Sequence, residues 1–343
     1  MEADSKKLLT LINGAQNILI TSHLGPDADS LCSSLLLAQI LNTNFSDKHV
    51  IVCMEEEIRT LVFLDGYDTI KFDPLSIALK NYGTQLLIIL DANNISRCTR
   101  EPEPARLYMK EHGVKLAVID HHEPIDIEPN SLYINQNSPA VTEDVYEICF
   151  NELKLAKPKN YAQTAMVGLY ADTGGFTYDN PRRRDTFKMA SQLMDDGGSA
   201  ELAANQLNQY TSEGLEVLSE LIKNIRQTQD YTYTYISDEF YGGWLAEDKP
   251  ADAIHEGVDI FQHGFVRNVN GRSWGYAVYP DQKAKTKTYS VSFRSLQGEV
   301  DVSAYARKLG GGGHKPAAGA KIEASTVGEA IAKIKNVING SGS

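Results

Sequence analysis

The stretch Asn17-Ile-Leu-Ile-Thr-Ser-His-Leu-Gly-Pro-Asp-Ala-Asp29 reads as a short buried strand that runs into a polar loop and then opens a helix. Residues 17–21 form an apolar run of strand length, and the Gly-Pro pair at 25 and 26 breaks it. Further apolar runs at 49–54, 86–90 and 115–119 alternate with helical patterns, the signature of strand and helix units around a parallel sheet. Three of the four runs end in chemistry-bearing residues: the loop 22–29, then Asp91, then Asp120, His121 and His122. In open parallel sheets ligands collect at the carboxyl ends of the strands, so these clusters point to one crevice.

From 138 to 223 the pattern is mainly helical, and near 229 it changes character. Residues 232–236, 273–279 and 289–295 are β-rich, with helical patterns at 251–262 and 327–337. The expected fold is therefore α/β: a parallel-sheet domain over 1–222, a linker over 223–229, and a smaller α+β domain over 230–343 facing it across a cleft.

Composition sets outer limits. The chain has 343 residues, of which 42% are hydrophobic, enough for two buried cores. Cys32, Cys53, Cys98 and Cys149 lie far apart with no C-x-x-C pair, which argues against a zinc knuckle or a disulfide framework and fits a reducing cytoplasm. No apolar run approaches the roughly 20 residues of a membrane span, and the first residues lack a signal-peptide apolar region. A net charge of −12 works against tight binding of long nucleic-acid duplexes. A small anionic substrate needs only a local positive feature, which bound cations would supply.

His23, Asp27, Asp29, Asp91, Asp120, His121, His122 and Asp172 make up the constellation at the strand ends and in the helical segment that follows. An isolated strand-end Asp is ordinarily a helix cap or turn former, and a His-His pair is ordinarily a surface feature. Several such fragments at successive strand ends carry more weight. Carboxylates crowded into one crevice would be forced to protonate unless cations intervene. Divalent metal ions resolve the conflict, and the Asp-rich, His-containing donor set suits a borderline-hard ion such as Mn2+. No G-x-S-x-G elbow or P-loop Lys is present, so acyl transfer and nucleoside triphosphate hydrolysis find no support.

In order and spacing, SHLGPDADS (22–30), LDAN (90–93), VIDHH (118–122) and YADTGGF (170–176) resemble the four motifs of the DHH phosphoesterase family. GGGGHKPAAG (310–319) resembles the signature of the DHH-associated C-terminal domain. The arrangement is most similar to the compact oligoribonucleases and pAp phosphatases of the NrnA branch. The resemblance implies that His23 and Asp27 bind one metal, that Asp29, His121 and Asp172 bind the other, and that Asp91 bridges them. It also implies that Asp120 orients the histidines and that His122 faces the substrate phosphate, so that Asp91, Asp120 and His122 are the catalytic set.

The glycine run offers a complementary feature. Gly311, Gly312 and Gly313 would let backbone N–H groups approach a phosphate, with His314 and Lys315 adding donors. Taken alone, such a run is ordinarily a flexible turn. Arg294 matches a position that binds substrate phosphate in relatives, where a guanidinium forms two hydrogen bonds. Two departures from the family pattern stand out. Ala28 and Cys32 occupy positions where relatives commonly place glycine, and Arg182, Arg183 and Arg184 follow the fourth motif. The arginines read either as a solvated helix start or as a local anion-binding patch. Tyr276, Tyr279 and Tyr305 read as packing residues rather than base-stacking ones.

The expected activity is hydrolysis of phosphate esters in short oligoribonucleotides, pAp or dinucleotides through a metal-bridged hydroxide, in the cytoplasm and with no membrane partner. A homodimer is left open. The rival inside the enzyme class is a cyclic-dinucleotide phosphodiesterase acting on c-di-AMP or pApA. The rival outside it is a catalytically silent nucleotide sensor, disfavoured because every implied metal ligand is retained.

Overall fold

The computed structural model describes residues 2–340 apart from 179, 267, 283, 285, 297 and 298. The chain divides into two compact units, Met1–Gln209 and Tyr210–Ser343.

The first unit is built on six strands: β1 (Asn17–Thr21), β2 (His49–Met54), β3 (Lys71–Phe72), β4 (Leu86–Leu90), β5 (Lys115–Ile119) and β6 (Leu132–Ile134). All pair in parallel, in the order β3-β2-β1-β4-β5-β6. Alternation along the strands explains why both faces are covered. Ile18 and Ile20 of β1 and Leu86, Ile88 and Leu90 of β4 join one core, under the helices Ala28–Asn44 and Tyr161–Asp172. Leu19, Leu87 and Ile89 join the other, under Leu75–Asn81 and Pro102–His112. Each fully buried Leu or Ile contributes about 1.5–3 kcal/mol of hydrophobic stabilisation. The order reverses direction between β1 and β4, and this switch point is where an open sheet leaves a crevice beyond its strand ends.

The second unit has a mixed sheet of β7 (Arg226–Gln227), β8 (Thr232–Tyr235), β9 (Trp274–Pro280), β10 (Thr288–Ser295), β11 (Gly312–His314) and β12 (Ala317–Glu323), in the order β11-β12-β10-β9-β8-β7. Tyr276, Val278, Tyr289, Val291 and Phe293 pack one face against the helices Val302–Lys308 and Val327–Asn339. Ala277 packs the other face with Val258, Phe261, Val217 and Leu221.

The helix Ser212–Lys223, expected to close the first domain, belongs to the second unit. Its Val217 and Leu221 share a core with Ile236, Trp244 and Ile254, and Gly257 lets the helix Asp252–Gly264 lie against Val217. The division therefore falls at Gln209, and the segment expected to be a linker holds the end of this helix and β7. No helix among the described residues is long and apolar enough to cross a membrane.

Candidate metal site at the switch point of the first sheet

The ends of β1, β4 and β5 are tied together by backbone and side-chain bonds that aim the site residues. Ser22 Oγ donates to the Leu90 carbonyl at 2.7 Å, pinning the end of β1 to that of β4. Asp91 N–H donates to Ile119 O and Asp120 N–H to Ile134 O, each at 3.0 Å, so both residues extend the sheet pairing by one step. Asp91 sits in the left-handed region with φ 58°, a conformation that costs a non-glycine residue roughly 1–2 kcal/mol and turns its carboxylate out of the strand direction.

Two imidazoles meet that carboxylate. His23 Nδ1 lies 2.9 Å from the Leu24 carbonyl and His121 Nδ1 lies 3.3 Å from the Ser138 carbonyl. A carbonyl only accepts, so each Nδ1 carries the proton and Nε2 is left to the crevice. There His23 Nε2 is 3.4 Å from Asp91 Oδ2, and His121 Nε2 is 3.3 Å from Asp91 Oδ1 and 3.6 Å from Asp172 Oδ2. Lone pairs facing each other at these distances need a proton or a cation between them.

Asp27 serves two purposes. Its Oδ1 accepts from Ser30 N–H at 3.0 Å and its own N–H donates to Ser30 Oγ at 2.9 Å, a capping box for the helix Ala28–Asn44. Its Oδ2 lies 3.9 Å from His23 Nε2. The cap and the ligand readings of this residue are thus compatible. Asp29 is fully buried, and its oxygens accept from the N–H groups of Val141 at 2.6 Å and Thr142 at 2.9 Å, at the start of the helix Val141–Tyr146. Asp120, also fully buried, accepts from His122 Nδ1 at 2.8 Å and from Tyr133 Oη at 3.4 Å. It therefore orients His122, whereas Ser138 orients His121.

The structure brings His23, Asp27 and Asp91 into one group of donor atoms, Asp29, His121 and Asp172 into a second, and Asp91, His121 and His122 into a third, the atoms of each lying within 4.8 Å of one another. Burial and the Asp91 charge push Asp29 up to about 7, and burial with the Asp29 charge pushes Asp172 up to about 9. Burial opposes ionisation of Asp91 too, but the hydrogen-bonding His121 and His23 outweigh it and hold this carboxylate well below its usual range. Burial disfavours the charged histidines, yet Asp91 raises His23 to about 9 and His121 to about 10. Charge is thus under-compensated on one side and protons are retained on the other. Divalent cations fit this donor set, since they would replace the imidazole protons and let Asp29 and Asp172 ionise.

The second unit holds the remaining candidates. Arg294 of β10 and His314 of β11 both stand opposite Ala317 of β12, which places them on one face of the sheet two strands apart. Arg294 Nη1 donates to Ser292 Oγ and to the Phe293 carbonyl, each at 3.0 Å. Part of the glycine run has a packing reason: a Cβ on Gly311 would meet Gly319 O at 2.1 Å, and one on Gly313 would meet Ala318 Cα at 2.5 Å. Gly312 has open space around it, so it alone of Gly311, Gly312 and Gly313 is unconstrained by the sheet.

Residues 17–169 match the DHH family N-terminal domain and residues 260–340 match the DHHA1 domain. The chain thus carries a DHH domain followed by a DHHA1 domain. Among its DHH relatives, the bifunctional oligoribonuclease and PAP phosphatase NrnA of Bacillus subtilis (strain 168) is 25% identical over 320 residues, 92% of each chain. The cyclic-di-AMP phosphodiesterase PdeA of Listeria monocytogenes is 25% identical over 353 residues, covering 98% of this chain and 49% of that protein. The DHH chain thus spans about half the length of that phosphodiesterase. An exopolyphosphatase-related protein from Bacteroides fragilis shares the fold, with a TM-score of 0.82, 20% identity and coverage of 99% and 96% of the two chains.

Ser138, Val141 and Thr142 escape a reading of the sequence because they act through backbone groups, which leave no residue signature. Of the three arginines, Arg182 turns inward toward Glu143 and Asp144, while Arg183 and Arg184 are exposed. Tyr276 is fully buried among rings, and Tyr305 stacks on Trp274 at 5.2 Å.

Proposed function

We propose that the protein is a metal-dependent phosphoesterase that hydrolyses short oligoribonucleotides and pAp. The observation that carries this reading is the convergence of His23, Asp27 and Asp91 with Asp29, His121 and Asp172 at the switch point of the first sheet. Two divalent cations, Mn2+ by the donor set, would supply there the acidified water and the charge neutralisation that phosphate ester hydrolysis requires. His23 and Asp27 would hold one, Asp29, His121 and Asp172 would hold the other, and Asp91 would serve both.

The remaining steps belong to the chain's own groups. Asp120 accepts a hydrogen bond from His122 Nδ1–H, which turns Nε2 away from Asp120, where the imidazolium form would donate to a phosphate oxygen. Asn135 Nδ2, donating to the His122 carbonyl at 2.8 Å, fixes the backbone from which the ring projects. Arg294, His314 and the N–H groups of Gly312 and Gly313 bind the substrate phosphates, whereas the Gly311 N–H, expected to do so, already donates to the Ala306 carbonyl at 2.8 Å. The expected compartment is the cytoplasm.

A second reading, cleavage of c-di-AMP or pApA, is favoured by the match of nearly the whole chain to the PdeA phosphodiesterase. A panel of short RNA, pAp, linear dinucleotides and cyclic dinucleotides, assayed with Mn2+, decides between the two. Turnover of none of them, with the protein folded and loaded, would refute both.

A further inference from the structure

The Arg182 guanidinium lies 3.2 Å from Glu143 Oε1 and 3.7 Å from Asp144 Oδ1, and it donates to Gln136 Oε1 at 3.4 Å. Both acids are buried, and their partner is the residue that caps the start of the helix Arg183–Asp195. Gln136, Glu143 and Asp144 belong to one segment, running from the loop after β6 into the helix Val141–Tyr146. This segment also makes the two backbone contacts that aim the site: Ser138 O receives His121 Nδ1 at 3.3 Å, and the Val141 and Thr142 N–H groups hold Asp29 at 2.6 and 2.9 Å. Asp29 and His121 are two of the three residues grouped with Asp172. His23 and Asp27 are held by other means, the carbonyl of Leu24 and the capping box with Ser30.

We propose that Arg182 is a positioning residue for the Asp29, His121 and Asp172 cation position specifically, stapling residues 136–144 so that Asp29 and His121 keep the spacing a divalent ion requires. The inference rests on the cation reading of the site. The helix Val141–Tyr146 is six residues long and its Ala140 cap offers no side chain to its N–H groups. Its first turn is therefore secured by Asp29 on one side and, on the other, by Arg182 together with Thr186, whose Oγ1 donates to Glu143 Oε2 at 2.8 Å. The guanidinium suits the task because one planar, permanently charged group reaches Gln136 by a hydrogen bond and both acids by charge, which a lysine ammonium on a flexible stem does not.

A purely structural role, neutralising two buried acids, also predicts loss of stability when Arg182 is removed, so stability alone does not discriminate. Calorimetric titration of the full chain with Mn2+ does, using wild type, Arg182→Met, and Arg182→Met combined with Glu143→Gln and Asp144→Asn. Asp172→Asn identifies which binding step belongs to the position in question. In Arg182→Met that step weakens about tenfold or more, the size of effect usual when a ligand loses its orienting partner, while the other stays within about twofold. In the combined variant the melting temperature returns toward wild type but the weakened step stays weak, because the neutral side chains no longer have a guanidinium to anchor them. Recovery of tight binding in the combined variant overturns the proposal, as does equal weakening of both steps or of neither in Arg182→Met. A wild-type chain that binds fewer than two Mn2+ ions overturns the cation reading itself and this inference with it.

Discussion

Gly168 stands so close to Thr142 that a Cβ placed on it would come within 2.3 Å of the Thr142 Oγ1, and within 2.8 Å of the Cys32 Cβ. The missing side chain lets the helices Ala28–Asn44 and Tyr161–Asp172 meet beside the residue whose N–H holds Asp29. Cys32, an unusual residue for its motif, is buried against Gly168. Gly168→Ala should lower the unfolding free energy by about 1–3 kcal/mol, the usual cost of forcing extra volume into a packed interior. It should also weaken Mn2+ binding, because the added methyl would lie 3.1 Å from Thr142 Cβ as well, so that turning the hydroxyl away leaves a contact that pushes on the backbone whose N–H holds Asp29. Urea unfolding and Mn2+ titration measure the two effects. Wild-type values in both would show that the helices part without strain.

Asp91→Asn tests the shared ligand with little disturbance of the backbone. Asn adopts the left-handed region readily, so the φ of 58° is tolerated and the change falls on charge. Turnover should collapse, and both Mn2+ steps should weaken by about tenfold or more. Loss of only one binding step would show that Asp91 serves a single ion.

Glu128 secures the segment that follows Asp91. Its Oε1 and Oε2 accept from Arg106 at 2.7 and 2.8 Å, and Oε2 also accepts the Ile95 N–H at 3.0 Å. Burial opposes ionisation, but these donors outweigh it and hold the carboxyl below its usual range. A depressed folded-state pKa means the contribution is present above the unfolded value, near 4.5, and is lost as pH falls through the folded one. Glu128→Gln should therefore cost about 1–2 kcal/mol at neutral pH, and the difference from wild type should shrink below about pH 4.5. A difference constant from pH 7 to pH 3 would rule out the charged pair as its source.

β1, β2, β4 and β5 are legible residue for residue because each is a continuous apolar run between breakers, the pattern of a strand covered on both faces. β3 and β7 are two residues each with exposed side chains, so they carry no periodicity to read. β11 and β12 escape because glycines and alanines imitate a turn, although here they allow close backbone approach. The site residues stand out because acids and histidines at strand ends are conspicuous. The groups that orient them do not, since a carbonyl at Ser138 or an N–H at Val141 looks alike in any sequence. Arg182 reads as surface charge in the sequence because the acids that draw it inward, Glu143 and Asp144, lie nearly forty residues upstream.

Removing the imidazole of His314 should separate substrate binding from metal binding. Its strand position opposite Ala317 aligns it with Arg294, and both are expected to grip phosphate. His314→Ala should raise KM about tenfold, as for the loss of one charge-assisted hydrogen bond, with metal content by elemental analysis unchanged. Loss of metal from this variant would place His314 among the ligands.

Substrate length follows from charge and from the small number of phosphate-binding groups. Arg294 and His314 lie two strand spacings apart, roughly 10 Å, which spans only a short piece of backbone. The arginine run does not extend this grip. Arg182 is committed to Glu143 and Asp144, and the Arg183 guanidinium lies over the Phe187 ring at 5.7 Å. A net charge of −12 repels each additional phosphate that no local cation meets. Substrates of roughly two to five nucleotides should therefore be cleaved with higher kcat/KM than long strands, since a longer backbone adds repulsion without meeting Arg294 or His314 again. The comparison is a labelled dinucleotide against a 24-mer of the same base composition (about 24 phosphates to accommodate rather than one or two) at fixed salt. Raising the salt should narrow the gap, because screening weakens the repulsion of the long strand more than it weakens a two-point phosphate grip. Equal or better efficiency on the 24-mer at low salt would mean that the protein presents a basic track after all, and the reading as an enzyme of short nucleotides would have to be given up.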